Sequence, residues 1–329
     1  MSIDSSDHAL RLVADVGGTN ARFGLLRGAH GLPEQQLTLA TASYAGIDSA
    51  IEDYLRQVKA GMPLEAAIAI ANPVTGDVVK MSNCHWTFSI EDVRTRLGFA
   101  RLLVINDFTA LAMSLPVIPS AQLLQLGGGA PVAGSPLALI GAGTGLGVSG
   151  LVPCQGTWIP LESEGGHVSV CASCQREADL IAIIRRSYPH VSAERLVSGM
   201  GLQNLYRAIA TLENAAPESL TAAQITERGL AQQDRFCAEA LATFCAVMGS
   251  IAGNLAMTLG ARGGVYIGGG IVPKLGDYFL HSPFRSAFEA KGRLTAYLAA
   301  IPAYVIRAGN PALLGAAMAL GVIPGGPAG

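Results

Sequence analysis

The chain has 329 residues, enough for one large or two ordinary domains with true cores. Its formal net charge is −2 and no stretch gathers five or six Lys and Arg, which excludes the electrostatic footprint of a nucleic-acid or anionic-membrane binder. Charged residues make up only 14% of the chain, against roughly 25% in ordinary globular proteins, so wide buried surfaces are expected, a subunit interface among them.

The opening MSIDSSDHALRL lacks a basic region followed by an apolar one and only a few residues precede Asp15, so neither a secretory signal nor an N-terminal helix-turn-helix is expected. LRLVADVGGTNARFGLL then predicts strand, tight turn and strand. AAIAIANPV predicts a buried strand. SIEDVRTRLG predicts a helix with Ser89 at its N-cap and Gly98 as its stop. LLVIND predicts a strand running into the helix FTALAMSL.

From Phe108 to Leu161 there is no Asp, Glu, Lys, Arg or His, but prolines and glycines interrupt the run throughout. Strands and loops are expected there, not a membrane span. Within it, PLALIGAGTGLGVSGLV repeats the first plan of apolar run, Gly/Thr turn and second apolar run. Farther on, Asp234 to Leu259 predicts one long helix with apolar residues every third or fourth position. Val265 to Ile267 predicts a short buried strand, Gly268 to Gly270 a loop, and Ile271 onward a helix entry with Pro273 early. Pro311 to Leu320 predicts a closing helix followed by a frayed Gly-Pro-rich end. The coarse class is α/β.

The two glycine turns decide the chemistry. A dinucleotide fold needs G-x-G-x-x-G opening a helix, and a P-loop needs Gly-Lys-Ser/Thr; here a strand follows each turn and no such lysine is present. Bare amides at Gly17, Gly18 and Thr19, and again at Gly143, Thr144 and Gly145, can converge on phosphate oxygens. The Gly268–Gly270 loop is a place for a flat ring such as adenine. Asp15, ending its strand before the first turn, would repel phosphate directly but can hold Mg²⁺, through its waters, against the phosphates. Asn106 and Asp107 leave an apolar strand at its carboxyl end, where open α/β sheets place ligands. Asp107 is there either a base for a sugar hydroxyl or simply the cap of the next helix. Glu164 and His167 flank a Gly-Gly pair and offer acceptors and a donor to a polyol. The six cysteines are scattered, and Cys171-x-x-Cys174 has no answering pair, so reduced thiols without a structural zinc are expected.

These segments together resemble the proteobacterial type of bacterial glucokinase, within the hexokinase/actin-like ATPase superfamily. The likeness rests on DVGGTNARF, NPVTGDVVKMSNCHWTFSI, INDFTA, GAGTGLG, EGGHV, HVSAERLVSG, GGVYIGGGIVP and NPALLGAA. The resemblance implies a two-lobed actin-like or hexokinase-type (ribonuclease H-like) fold with a central cleft. The small lobe would span 1–117 and recover the tail at about 308–329, and the large lobe 118–307. It further implies Mg²⁺ and ATP-dependent phosphorylation of the 6-hydroxyl of glucose, the first step of glycolysis, in a cytoplasmic homodimer. Asp107 would be the general base and Asn106 its sugar-binding neighbour; Glu164, His167 and Glu194 would take further hydroxyls, and the two turns and Gly268–Gly270 would hold the nucleotide. Related ROK sugar kinases add a Cys-rich zinc motif after Glu-Gly-His, of which only Cys171 and Cys174 have counterparts here. A kinase for another hexose and a non-catalytic sugar sensor or ATP switch are the alternatives; ADP release measured across a panel of hexoses separates the first, and hexose-stimulated turnover the second.

Overall fold

The computed structural model describes residues 9–28 and 31–322, so most of the opening segment, where no secretory signal is expected, and the end expected to fray lie outside the described residues. In chain order the elements are β1 (Leu10–Val16), β2 (Asn20–Arg27), β3 (Glu34–Ala40), α1 (Ile47–Gln57), β4 (Glu65–Ile70), β5 (Val78–Lys80), β6 (Thr87–Ser89), α2 (Ile90–Arg96), β7 (Arg101–Asn106) and α3 (Asp107–Ser114). They continue with β8 (Leu123–Gln125), β9 (Leu137–Ala142), β10 (Leu146–Cys154), β11 (Thr157–Leu161), α4 (Gln175–Arg185), α5 (Gly199–Leu212), α6 (Ala222–Leu230) and α7 (Arg235–Leu259). The last are β12 (Val265–Gly268), α8 (Val272–Leu275), α9 (Asp277–Leu280), α10 (Phe284–Glu289), α11 (Thr295–Ala300), β13 (Ala303–Ile306) and α12 (Pro311–Ala319). The chain forms two compact units. One takes the residues up to Ser120, the segment Cys154–Glu162 and those from Ala308 onward; the other takes Ala121–Pro153 and Ser163–Arg307.

The first unit is built on a sheet of order β3-β2-β1-β4-β7. β1 pairs antiparallel with β2 across the first glycine turn and parallel with β4, which pairs parallel with β7. Strand side chains alternate between faces, and β1 is apolar on both. Leu12, Ala14 and Val16 join a core with Ile47, Ile51 and Tyr54 of α1. Val13 faces the other way, into Leu313, Ala316 and Ala317 of α12 and Leu320 at its end. Covering on both faces explains why LRLVADV reads as a near-continuous apolar run. α12 also lies hard against α3: a methyl group at Gly315 would fall on the backbone carbonyl of Ala110.

The second unit repeats the plan. β10 pairs antiparallel with β9 across the second glycine turn, β9 and β12 are parallel, β12 and β13 are parallel, and β8 closes the edge beside β13. α7 runs through its core, capped by Asp234, whose Oδ1 accepts from the N–H groups of Phe236 and Cys237 at 2.7 and 3.1 Å. The expected spacing holds: Cys237, Leu241, Phe244, Met248 and Ile251 are all buried in one cluster. Among the described residues α7 is the one helix long and apolar enough to cross a membrane by length and composition, and 61% of its most apolar window is buried in protein. The charge-free run from Phe108 to Leu161 forms α3, 3-10 turns and β8 to β11. One expectation needs trimming: the helix entry after Gly270 is a single turn, α8, ended at Gly276, whose φ is 54°.

Candidate active site

Asp15 sits one residue from the end of β1, and the turn Gly17–Thr19 follows, closed by the Gly17 N–H donating to the Asn20 carbonyl at 2.9 Å. The turn is held from outside. Thr41 Oγ1 donates to the Gly18 carbonyl at 2.7 Å, and the Thr41 N–H donates to the Thr19 carbonyl at 3.0 Å. On its other side Gly18 touches Asn83 so closely that a Cβ there would stand 2.5 Å from the Asn83 carbonyl oxygen. Thr19 itself is exposed. The hairpin register sets Asp15 opposite Arg22, and the guanidinium donates to its Oδ2 at 3.2 Å. Burial pushes the Asp15 carboxyl above the usual carboxylate range, with Arg22 pulling the other way. A part-buried carboxylate of this kind gains from a cation close by.

Two strands away, Asn106 ends β7. Val16 pairs with Ile70 and Ile70 with Asn106, so the strand ends lie level across three parallel strands. Adjacent strands are about 4.8 Å apart, which sets Asn106 about 10 Å from the head of β1. The Asn106 side chain caps α3: its Oδ1 accepts from the N–H groups of Phe108 at 2.8 Å and Thr109 at 3.2 Å, while Nδ2 donates to the Asn72 carbonyl at 3.4 Å. Asp107 is therefore the first helical residue and not the cap, although its Oδ1 also accepts from the Phe108 N–H at 2.9 Å. The capping task that competed with a chemical role for Asp107 belongs to its neighbour.

In the second unit the turn Gly143–Gly145 is closed by the Gly143 N–H on the Gly145 carbonyl at 2.8 Å, with Thr144 exposed at its tip. The Gly268–Gly270 loop lies against the same strand end: the Ile271 N–H donates to the Ala142 carbonyl at 3.1 Å, and Gly269, at φ 81°, takes a backbone shape that suits glycine while touching Ala142. The Glu164–His167 segment is a 3-10 turn whose Gly165 and Gly166 pack onto Val148 and Leu146 of β10, leaving Glu164 and His167 exposed. Glu194 reaches the same strand, its Oε2 accepting from the Leu146 N–H at 3.0 Å. The second unit thus gathers Gly143–Gly145, Gly268–Gly270, Glu164, His167 and Glu194 around one hairpin; the first gathers Asp15, Gly17–Thr19, Asn106 and Asp107 at the carboxyl ends of β1 and β7.

Sequence reasoning missed the supports. Arg22 was open to it, since a turn at Gly17–Thr19 that pairs Val16 with Ala21 sets Asp15 opposite Arg22. Thr41 and Asn83 come from distant segments and carry no local signal. Cys171 and Cys174 are both exposed thiols.

Two units, each a hairpin followed by parallel strands with a glycine turn at its head, define a two-lobed α/β protein of the hexokinase type. The sequence model of the Glucokinase family matches residues 12–322. The glucokinase of Aromatoleum aromaticum is 54% identical over 322 residues, covering 97% of this chain and 97% of its own length. That of Chromobacterium violaceum is 54% identical over 307 residues, covering 93% of this chain and 88% of its own. Among solved structures, a glucokinase from an Antarctic psychrotroph matches with a TM-score of 0.88 at 36% identity, over 95% of this chain and 98% of that one. The chain belongs to the glucokinase family, and it is an enzyme that phosphorylates glucose with ATP.

Proposed function

We propose that the chain transfers the γ-phosphoryl group of ATP to the 6-hydroxyl of glucose, with Asp107 as the base. As the hydroxyl oxygen bonds to the γ-phosphorus, its proton passes to the Asp107 carboxylate; the bond from phosphorus to the bridging oxygen breaks and ADP leaves with that electron pair. The observation that carries the reading is the position of Asp107. It follows the carboxyl end of β7, in the sheet whose β1 leads into the first glycine turn, and Asn106 caps the helix beside it. Backbone amides of Gly17–Thr19 and Gly143–Gly145 hold phosphate oxygens, Gly268–Gly270 lies along the nucleoside, and Asn106, Glu164, His167 and Glu194 take sugar hydroxyls.

The residues present fit Mg²⁺. That ion is held in phosphoryl-transfer sites by one or two carboxylates together with substrate phosphates. Asp15 is one such carboxylate, part-buried beside the half-exposed Arg22, and among the described residues no three His, Cys, Asp or Glu form a cage for another kind of metal. Asp15 would hold Mg²⁺ through its waters; when bound, the ion supplies neutralisation of phosphate charge. We also propose that the protein is a cytoplasmic homodimer, the dimer being what the family resemblance suggests; elution at the mass of one chain on a sizing column would contradict it.

Asp107→Asn tests the assignment. Glucose affinity by calorimetry should stay within a few-fold, while kcat falls by about 10²–10⁴-fold, the range for a lost general base. A variant retaining a tenth of the wild-type kcat would move the base elsewhere.

A further inference from the structure

We infer that Glu194 is a positioning residue for the second glycine turn, so that one carboxylate serves both glucose and the nucleotide. The inference rests on the site reading above and deepens it. The turn Gly143–Gly145 is gripped at both ends by a single segment. At its far end the Leu146 N–H donates to Glu194 Oε2 at 3.0 Å. At its near end the Gly143 carbonyl accepts from the Gly199 N–H at 2.9 Å, at the start of α5. Between these two points the segment is tied to itself: Ser198 Oγ donates to the Glu194 carbonyl at 2.7 Å and accepts from the Gly201 N–H at 2.9 Å, and Asn204 Nδ2 donates to the Arg195 carbonyl at 3.0 Å. A methyl group on Gly145 would run into Glu194 Oε2 and stand 3.3 Å from its carboxyl carbon.

This arrangement has a physical use. A glycine turn left alone samples many shapes, and amides stabilise an anion well only when they are already aimed at it. Anchoring residues 143 and 146 from one rigid strap removes that freedom. Oε2 is spent on the turn, so a sugar hydroxyl at Glu194 would fall to Oε1. Ligand at one oxygen then restrains the carboxylate whose other oxygen holds the turn, which is a direct path for coupling between the two substrates.

The test measures AMPPNP binding with Mg²⁺ in the absence of glucose, and glucose binding separately, by calorimetry. Glu194→Ala should weaken AMPPNP about tenfold or more, the loss expected for one hydrogen bond to a charged group. Glu194→Gln keeps an amide oxygen for the Leu146 N–H and should hold AMPPNP within about threefold while still losing glucose affinity. Gly145→Ala, in a chain that retains Glu194, should displace the carboxylate and weaken glucose as well as AMPPNP. Equal loss of AMPPNP in the Ala and Gln variants, or none in Glu194→Ala, would overturn the inference. Thr144→Pro, which removes an amide at the tip of the turn, separates this from failure of the site reading. If it weakens AMPPNP while Glu194→Ala does not, only the positioning role falls; if neither does, the phosphate assignment of the turn falls with it.

Discussion

Asn106 carries two tasks that can be pulled apart. Its Oδ1 accepts from two N–H groups at the start of α3, that of Phe108 at 2.8 Å, shared with Asp107 Oδ1, and that of Thr109 at 3.2 Å, and Asp107 is the first residue of that helix. Asn106→Ala removes the cap, at a cost of about 0.5–2 kcal/mol. In a folding unit of 150–250 residues each kcal/mol shifts Tm by about 2–4 °C, so Tm should drop by about 1–8 °C. Because the loosened first turn bears the base, kcat should fall as well. Asn106→Ser supplies a hydroxyl that caps nearly as well as an amide, so it should recover most of the stability. It has no Nδ2 to bond the Asn72 carbonyl or to reach a sugar, so the KM for glucose should stay raised. Thermal melts of the three proteins together with kcat and KM for glucose form the assay. A serine variant as unstable as the alanine one, or an alanine variant with unchanged Tm, would refute the assignment of the cap.

Two further outcomes are expected. Burial raises the Asp15 pKa in the folded chain, so its contribution to stability is fully present below its ordinary value near 3.8 and is lost as pH rises through the folded value. Asp15→Asn escapes that loss: without ligands its Tm at pH 7 should be no lower than the wild type's, any advantage should shrink toward about pH 4, and turnover should demand more Mg²⁺. The half-exposed pair with Arg22 offsets at most about 1 kcal/mol of this, and a clearly lower Tm at pH 7 would contradict the balance. Gly315→Ala places a methyl group on the Ala110 carbonyl between α12 and α3, backbone that has no rotamer to change. Overpacking costs about 1–3 kcal/mol, so a melt should show a lower Tm and, because α3 begins at Asp107, assays a lower kcat; an unchanged melt would mean that the two helices are not in close contact.

What the sequence determined by itself is what short-range chemistry decides. Alternating and continuous apolar runs marked β1, β4, β7, β9, β10 and β12; the spacing of Cys237, Leu241, Phe244, Met248 and Ile251 marked α7; glycine-threonine turns between strands marked the two phosphate candidates. Ser89 announced its own cap, and its Oγ accepts from the Asp92 N–H at 3.0 Å. The tertiary structure decided where segments far apart in the chain meet. Nothing local says that Thr41 and Asn83 brace the first turn, that α12 returns to cover Val13, that Cys154–Glu162 belongs with the first unit, or that Glu194 and Gly199 grip the second turn. It also decided between neighbours: in INDF both Asn106 and Asp107 are good caps, and their propensities differ too little to choose. The break between β7 and α3 falls so that Asn106 has extended backbone and Asp107 helical, and that position is set by the pairing of β7 with β4 and the packing of α12 on α3. Local propensities are worth tenths of a kcal/mol and act over a turn or two, whereas those pairings are long-range burial and ladder energies that no window of sequence contains.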